Sequence, residues 1–185
     1  LFASVQLTMF GIALREGEHF SGLSWLGLAL AAGGLVYLVL PGFSAPDPLG
    51  AVFMAIAGMS WGLFSLFGRG VDNPLEANAM NFLWCLLPAL LVNVGFVHDF
   101  NATASGLWLA IASGAIASGL GYSIWYLALR ELPATRAATV QLAVPAVAAL
   151  GGVVLLSEPL TLRLVLASIA MLGGTGLVLA QRASR

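Results

Sequence analysis

The sequence predicts an all-α protein: a polytopic transmembrane helix bundle of inverted five-helix repeats, the first of them truncated. Three observations predict it. Of 185 residues, 60% are hydrophobic and 8% charged, against about 25% charge in an ordinary soluble domain. Six windows, 20–46, 48–68, 77–98, 100–129, 137–157 and 164–181, contain no Asp, Glu, Lys or Arg, and a helix needs roughly 20 apolar residues to cross a hydrocarbon core of about 30 Å. Third, sliding the chain on itself by 140 residues superimposes two copies of one pattern.

The charges exclude several classes. Seven Arg, no Lys and eight acidic residues leave a net charge of −1, too few cations to neutralise the phosphates of a nucleic acid. A disordered chain would need low hydrophobicity and high charge. The single cysteine, Cys85, excludes a disulfide framework and a Cys-rich metal site. Transmembrane strands would alternate in segments of about 10 residues, and these apolar runs are continuous.

Taken in order, the expected helices are 1–14, 23–40, 49–67, 77–97, 105–129, 137–156 and 160–180. The first is too short to span. It begins with Leu and lacks a positive n-region, so it reads as the tail of a helix whose start lies upstream and not as a signal peptide. Pro41-Gly42 and Pro46-Asp47-Pro48 frame the turn after the second helix. Arg69-Gly70-Val71-Asp72-Asn73-Pro74 frames the third turn, Glu131-Leu132-Pro133 the fifth and Ser157-Glu158-Pro159 the last. Proline and glycine at such places end one helix and start the next.

Successive turns alternate sides. Arg15, Arg69, Arg130, Arg136, Arg182 and Arg185 fall on one side and only Arg163 on the other. That bias marks the first side, with the C-terminus, as cytoplasmic.

The 140-residue offset places Ala3 on Ala143, Gly11 on Gly151, Glu18 on Glu158, Leu26 on Leu166 and Gly33-Gly34 on Gly173-Gly174. Each copy is a helix, a tight turn with Glu, and a helix with paired glycines past its middle. The copies are five helices apart, so they have opposite orientation, a known build of secondary transporters. Three helices and part of a fourth are then expected before Leu1.

Specific stretches carry a resemblance. Gly119-Leu120-Gly121-Tyr122-Ser123-Ile124-Trp125-Tyr126-Leu127-Ala128-Leu129 is followed by Arg136-Ala137-Ala138-Thr139-Val140-Gln141-Leu142 and Pro145. Ser157-Glu158-Pro159-Leu160-Thr161 and Gly173-Gly174-Thr175-Gly176 follow, and Ser4-Val5-Gln6-Leu7-Thr8 through Glu18 and Gly33-Gly34 is similar in the first copy. This pattern resembles the EamA family of the drug/metabolite transporter superfamily. The resemblance implies ten helices in two five-helix repeats and movement of metabolites or drugs across the cytoplasmic membrane. Residues 1–40 would end the first repeat, 49–180 would form the second, and 181–185 would be a cytoplasmic tail. The chain departs from the pattern in its missing N-terminal portion and at Val5, which stands where Pro145 stands in the second copy.

Apart from Cys85, the tyrosines and Arg163 at the start of the last one, the expected spans carry no ionisable group and no carboxylate, which argues against a carboxylate-driven pump in this part of the chain. The candidate solute contacts are Trp61, Asn81, Tyr122, Trp125, Tyr126, Gln141 and Pro145, because amides and hydroxyls orient a polar head while aromatic faces hold apolar or cationic parts. Asn78, Asn93, Ser60, Ser65, Ser123 and Thr139 belong to the same polar set, and Asn78 is close enough to its helix start to act as a cap. Pro145 lacks an N–H and is expected to free the carbonyl of Gln141. Against this stands the plainer reading: Trp61 and Tyr126 in interfacial belts or packing, and lone polar groups bonding a neighbouring helix for about 0.6 kcal/mol each.

Gly58 with Gly62, Ala117 with Gly121, Ala29 with Gly33 and Ala170 with Gly174 repeat a small-xxx-small spacing that lets helices approach. Glu18 and Glu158 read as turn residues near helix N-termini, favoured by the dipole; a gating role ranks below that.

The expected function is a secondary transporter working by alternating access. Its partners are a small-molecule solute and the lipid bilayer, with no nucleic acid and no cofactor, and with homo-oligomerisation left open. It is expected not to be an enzyme, since His19 and His98 lie in different turns and no metal-binding His-Glu-x-x-His occurs. The alternative is a non-transporting structural or channel-like membrane protein.

Overall fold

Asn73 and Pro74 show how the chain sets its helix ends. The Asn73 side chain accepts from the Glu76 N–H at 3.3 Å and Pro74 takes the first helical position, where its missing N–H costs nothing. Ser21, Thr103 and Thr161 cap in the same way, each accepting from an N–H three residues on at 3.1 Å. In the computed structural model, which describes residues 1–42, 47–99 and 101–181, these caps start four of the nine α-helical segments among the described residues: α1 (Phe2–Arg15), α2 (Gly22–Val39), α3 (Pro48–Gly68), α4 (Pro74–Gly95), α5 (Ala104–Ile111), α6 (Gly121–Glu131), α7 (Ala134–Val140), α8 (Val144–Leu156) and α9 (Leu162–Ala180). No strand occurs among the described residues. Pro46 in the second turn, and Arg182 and Arg185 in the expected tail, lie outside them.

Six continuous helical stretches are long and apolar enough to cross a membrane: Gly22–Val39, Pro48–Gly68, Pro74–Gly95, Ala104–Glu131, Ala134–Leu156 and Leu162–Ala180. The protein is therefore an all-α polytopic helix bundle. With 14 residues, α1 covers about 21 Å.

Two stretches are less regular than the sequence implies. The expected helix 105–129 is α5 and α6 joined by a π-helix over Ala112–Leu120. Small residues line that wide turn, and the Gly121 N–H reaches back five residues to the Ile116 carbonyl. The expected helix 137–156 starts earlier, at Ala134, and tightens into a 3-10 turn at Gln141–Ala143 between α7 and α8.

The chain divides into two units. The first holds Leu1–Leu66 with Leu132–Arg185. Its tightest packing joins α2 to α9. A Cβ on Gly27 would lie 2.6 Å from the Gly174 carbonyl oxygen, and one on Gly34 would lie 2.9 Å from that of Ala167. Backbones this close require glycine on one side. The buried residues of α2 are Ser24, Gly27, Ala31 and Gly34. Adding 140 to each number gives Leu164, Ala167, Met171 and Gly174, all of them buried on α9.

The α3 glycines also work at a contact: Gly58 faces Ser4 and Leu1, and Gly62 faces Thr8, on α1. Ala170 and Gly174 sit at the α2–α9 contact, but the pairs Ala29 with Gly33 and Ala117 with Gly121 do not. Among the described residues no tertiary neighbour lies within 4 Å of the Cβ position at Gly33, and Gly121 approaches only the Ile116 carbonyl of its own helical stretch. Helix phase puts Gly27 and Gly34 on the packed face of α2 and turns Gly33 away. The turn from α1 to α2 uses Gly17 at φ +85° and closes over Phe10, Phe20 and Trp25, whose rings meet at 5.2–5.9 Å.

The second unit is Phe67–Glu131. In it α4 packs on the π-helix and α6. Leu83, Leu87, Leu91 and Val94 stay exposed on α4, an apolar face suited to lipid or further helices.

Candidate functional site

In the first unit the candidates converge where α7 gives way to the 3-10 turn. The Trp61 indole N–H donates to Gln141 Oε1. An indole only donates, so it fixes the orientation of the amide. Gln141 Nε2 then points to an acceptor-only thioether, the Met9 sulfur, at 3.2 Å. Gln141 is 5% exposed and Met9 fully buried. Beside them, Gln6 on α1 donates from Nε2 to the Ala138 carbonyl at 2.8 Å. Its Oε1 is buried without a hydrogen-bond partner among the described residues. Two glutamine amides thus join α1 to α7, and one of them presents an open acceptor.

Pro145 acts differently from the sequence expectation. The Gln141 carbonyl is not left free: the 3-10 turn brings the Val144 N–H onto it. What Pro145 marks is a change of helical pitch, and that pitch change sets the Gln141 side chain. Thr139 is fully buried but spends its hydroxyl on the Thr135 carbonyl one turn back, at 2.9 Å.

In the second unit, residues 78, 81 and 82 of α4 share one face, as do 122, 125 and 126 of α6, both at i, i+3, i+4 spacing. Asn81 Nδ2 donates to the Tyr126 hydroxyl at 3.2 Å. Tyr126 is buried and its ring fills the space that a side chain on Gly68 would need. The Phe82 and Tyr122 rings stack at 6.1 Å and 11°. Trp125 is half-buried on the same helix.

Asn78 is not a cap, since Asn73 fills that role. It is 2% exposed, and its Nδ2 donates to the Gly119 carbonyl at 2.8 Å and to Ser123 Oγ at 3.2 Å. The Ser123 hydroxyl shares that carbonyl at 2.9 Å. Gly119 lies in the π-helix, whose shifted register leaves carbonyls to be satisfied by side chains. Asn93 donates to the Ala89 carbonyl of its own helix at 2.8 Å.

Glu18 is a turn residue at a helix N-terminus, but not that of the helix that follows it. The N-cap of its own following helix is Ser21. The Glu18 carboxylate instead accepts from the Ala134 N–H at 2.8 Å and from the Thr135 N–H and hydroxyl at 3.0 Å each. Arg136, in the same turn of α7, donates to the Gln181 carbonyl, and Arg163 lies over the Tyr37 ring at 5.1 Å.

Sequence reasoning missed Gln6, Met9 and the far partner of Glu18. A lone amide within the apolar run of α1 was the available signal for Gln6; nothing local pointed to the other two.

Comparison with known proteins adds to this geometry. The model of the EamA-like transporter family matches residues 48–180. An uncharacterized protein of Pseudomonas aeruginosa is 48% identical over 185 residues, covering 100% of this chain and 64% of that protein. An uncharacterized transporter of Archaeoglobus fulgidus is 31% identical, covering 95% of this chain and 63% of its own length. The uncharacterized transporter YoaV of Bacillus subtilis is 23% identical over 131 residues, 68% of this chain and 44% of its own. The chain thus spans less than two thirds of each of these relatives. No solved structure matches it.

Proposed function

The chain belongs to the EamA-like transporter family and is a multi-pass membrane protein, and from that premise we propose that it is part of a secondary transporter for small metabolites or drug-like solutes. The carrier works by alternating access between inverted repeats, with no enzymatic step. Residues 1–40 end the first repeat and 49–180 form the second. The C-terminus is cytoplasmic and the membrane is the cell membrane.

The observation that carries this reading is the Trp61–Gln141–Met9 network at the pitch change between α7 and α8. Irregular backbone at membrane depth is tolerated where it is buried in protein or lines a cavity, and transporters build solute sites at such breaks. The open acceptor of Gln6 lies one helical turn from Met9 on α1. Asn81, Tyr122, Trp125 and Tyr126 supply a second polar and aromatic set in their own unit. The equivalence of the buried faces of α2 and α9 under the 140-residue offset supports the inverted repeat.

The test is uptake into vesicles holding the full-length protein, with a panel of radiolabelled amino acids, nucleosides and organic amines. Gln141→Ala and Trp125→Ala are expected to lower uptake of the transported solute without lowering membrane insertion. Normal uptake by both variants contradicts the proposed site. Absence of uptake for every solute by the unaltered protein favours the structural or channel-like alternative.

A further inference from the structure

The start of α7 has no cap of its own. Pro133 precedes it and offers no side-chain hydrogen bond, so the first N–H groups of α7 lack intrahelical partners. Glu18 supplies them from 116 residues away. Its two carboxylate oxygens take three hydrogen bonds from Ala134 and Thr135, both almost wholly buried. A carboxylate accepting at a helix N-terminus is favoured by charge and dipole together. The turn that carries it is short and solvent-facing, with Glu16, Gly17 and His19 all exposed.

Two of the helix contacts of this unit differ in kind. Between α2 and α9 the contact is backbone on backbone, at Gly27, Gly34, Ala167 and Gly174. Between α1 and the stretch from α7 into the 3-10 turn, the hydrogen-bonding groups are the ends of long polar side chains: Glu18 and Gln6 reach α7, and Gln141 reaches back to α1. Such groups can exchange partners with water or solute while the helices stay intact.

We propose that Glu18 is a releasable clasp: it holds the start of α7 closed on one face of the membrane and lets go when that face opens. Glu18 thereby positions Gln141 two turns further along the same helical stretch without touching the solute. The inference rests on the transporter reading above and adds to it the part that moves.

Hydrogen exchange of the full-length protein in lipid nanodiscs tests it, comparing wild type with Glu18→Gln. Glutamine keeps one acceptor oxygen and loses the charge and the other. Amide exchange over 134–140 is expected to rise about tenfold, the size of losing one charge-assisted bond. Exchange over 150–158, at the opposite end of the same helical stretch, is expected to fall, because opening one face closes the other. Thr135→Val removes the hydroxyl bond alone and is expected to give the same two shifts at roughly threefold; it carries the test if Glu18→Gln fails to insert. A rise over 134–140 alone, a rise in both segments or no change in either overturns the clasp and leaves Glu18 as a static cap. Uptake separates the two readings: if Gln141→Ala abolishes uptake while the exchange pattern contradicts the clasp, the carrier stands and the clasp falls.

Discussion

Gly27 on α2 and Gly174 on α9 approach so closely that a methyl group on Gly27 would sit 2.6 Å from the Gly174 carbonyl oxygen. Forcing a side chain into such a contact separates the helices and costs about 1–3 kcal/mol. Gly27→Ala and Gly174→Ala are therefore expected to lower the thermal unfolding midpoint of the purified protein. Gly33→Ala and Gly173→Ala, with nothing within 4 Å of the new atom, are expected to leave it unchanged or raise it, since alanine favours a helix interior by roughly 0.5–1 kcal/mol. Equal effects at all four positions would contradict the packing.

Gln141 and Thr139 are both buried polar residues near one helix break, yet their predicted roles differ. Gln141→Ala removes the acceptor of the part-buried bond from the Trp61 N–H, a loss of about 1 kcal/mol, and is expected to cut solute uptake at least tenfold. Thr139→Val removes a hydroxyl that serves only its own helix. Uptake by that variant should stay within about twofold of wild type, as should its insertion.

Asn78 and Asn81 form the next contrast. Asn78→Ala leaves the π-helical Gly119 carbonyl with the Ser123 hydroxyl as its side-chain donor and removes a buried amide, so a loss of about 1–3 kcal/mol is expected. Asn81 is exposed and makes one bond, to Tyr126, so Asn81→Ala should cost about 1 kcal/mol or less. Denaturation monitored by tryptophan fluorescence measures both.

At Gly68 even a methyl group collides with the Tyr126 ring. Gly68→Ala is expected to push that ring away and break its bond to Asn81. The variant should be less stable than Asn81→Ala, and adding Asn81→Ala to it should cost little more, because the bond is already gone. Full additivity in that double-mutant cycle contradicts the contact.

Lipid made most of the fold legible in the sequence. A span must satisfy its backbone internally and present apolar side chains outward, so charge-free windows and their Pro and Gly borders locate the helices within a few residues. The orientation of each helix about its axis is less visible in an almost uniformly apolar segment. Ala29 and Gly33 have the spacing of a packing motif, but Gly27 and Gly34 make the contact. The side-chain contacts were legible where chemistry was unusual, at Gln141 and Trp61 in the first unit and, separately, at Asn81 in the second. The contact of Gln141 with Met9, and the reach of Glu18 to Thr135, depend on helices far apart in the chain. Pro145 signalled an irregularity correctly, yet only the structure reveals that Val144 takes up the Gln141 carbonyl.

The proposed inverted repeats require the two glutamate turns to lie on opposite sides of the bilayer. Single cysteines at His19 and at Leu160, in a Cys85→Ser version of the full-length protein, are to be exposed to a membrane-impermeant maleimide in intact cells and in inside-out vesicles. The account predicts that the Leu160 position reacts in cells and the His19 position only in inverted vesicles. Reaction of both from one side contradicts the inversion and removes the basis for alternating access.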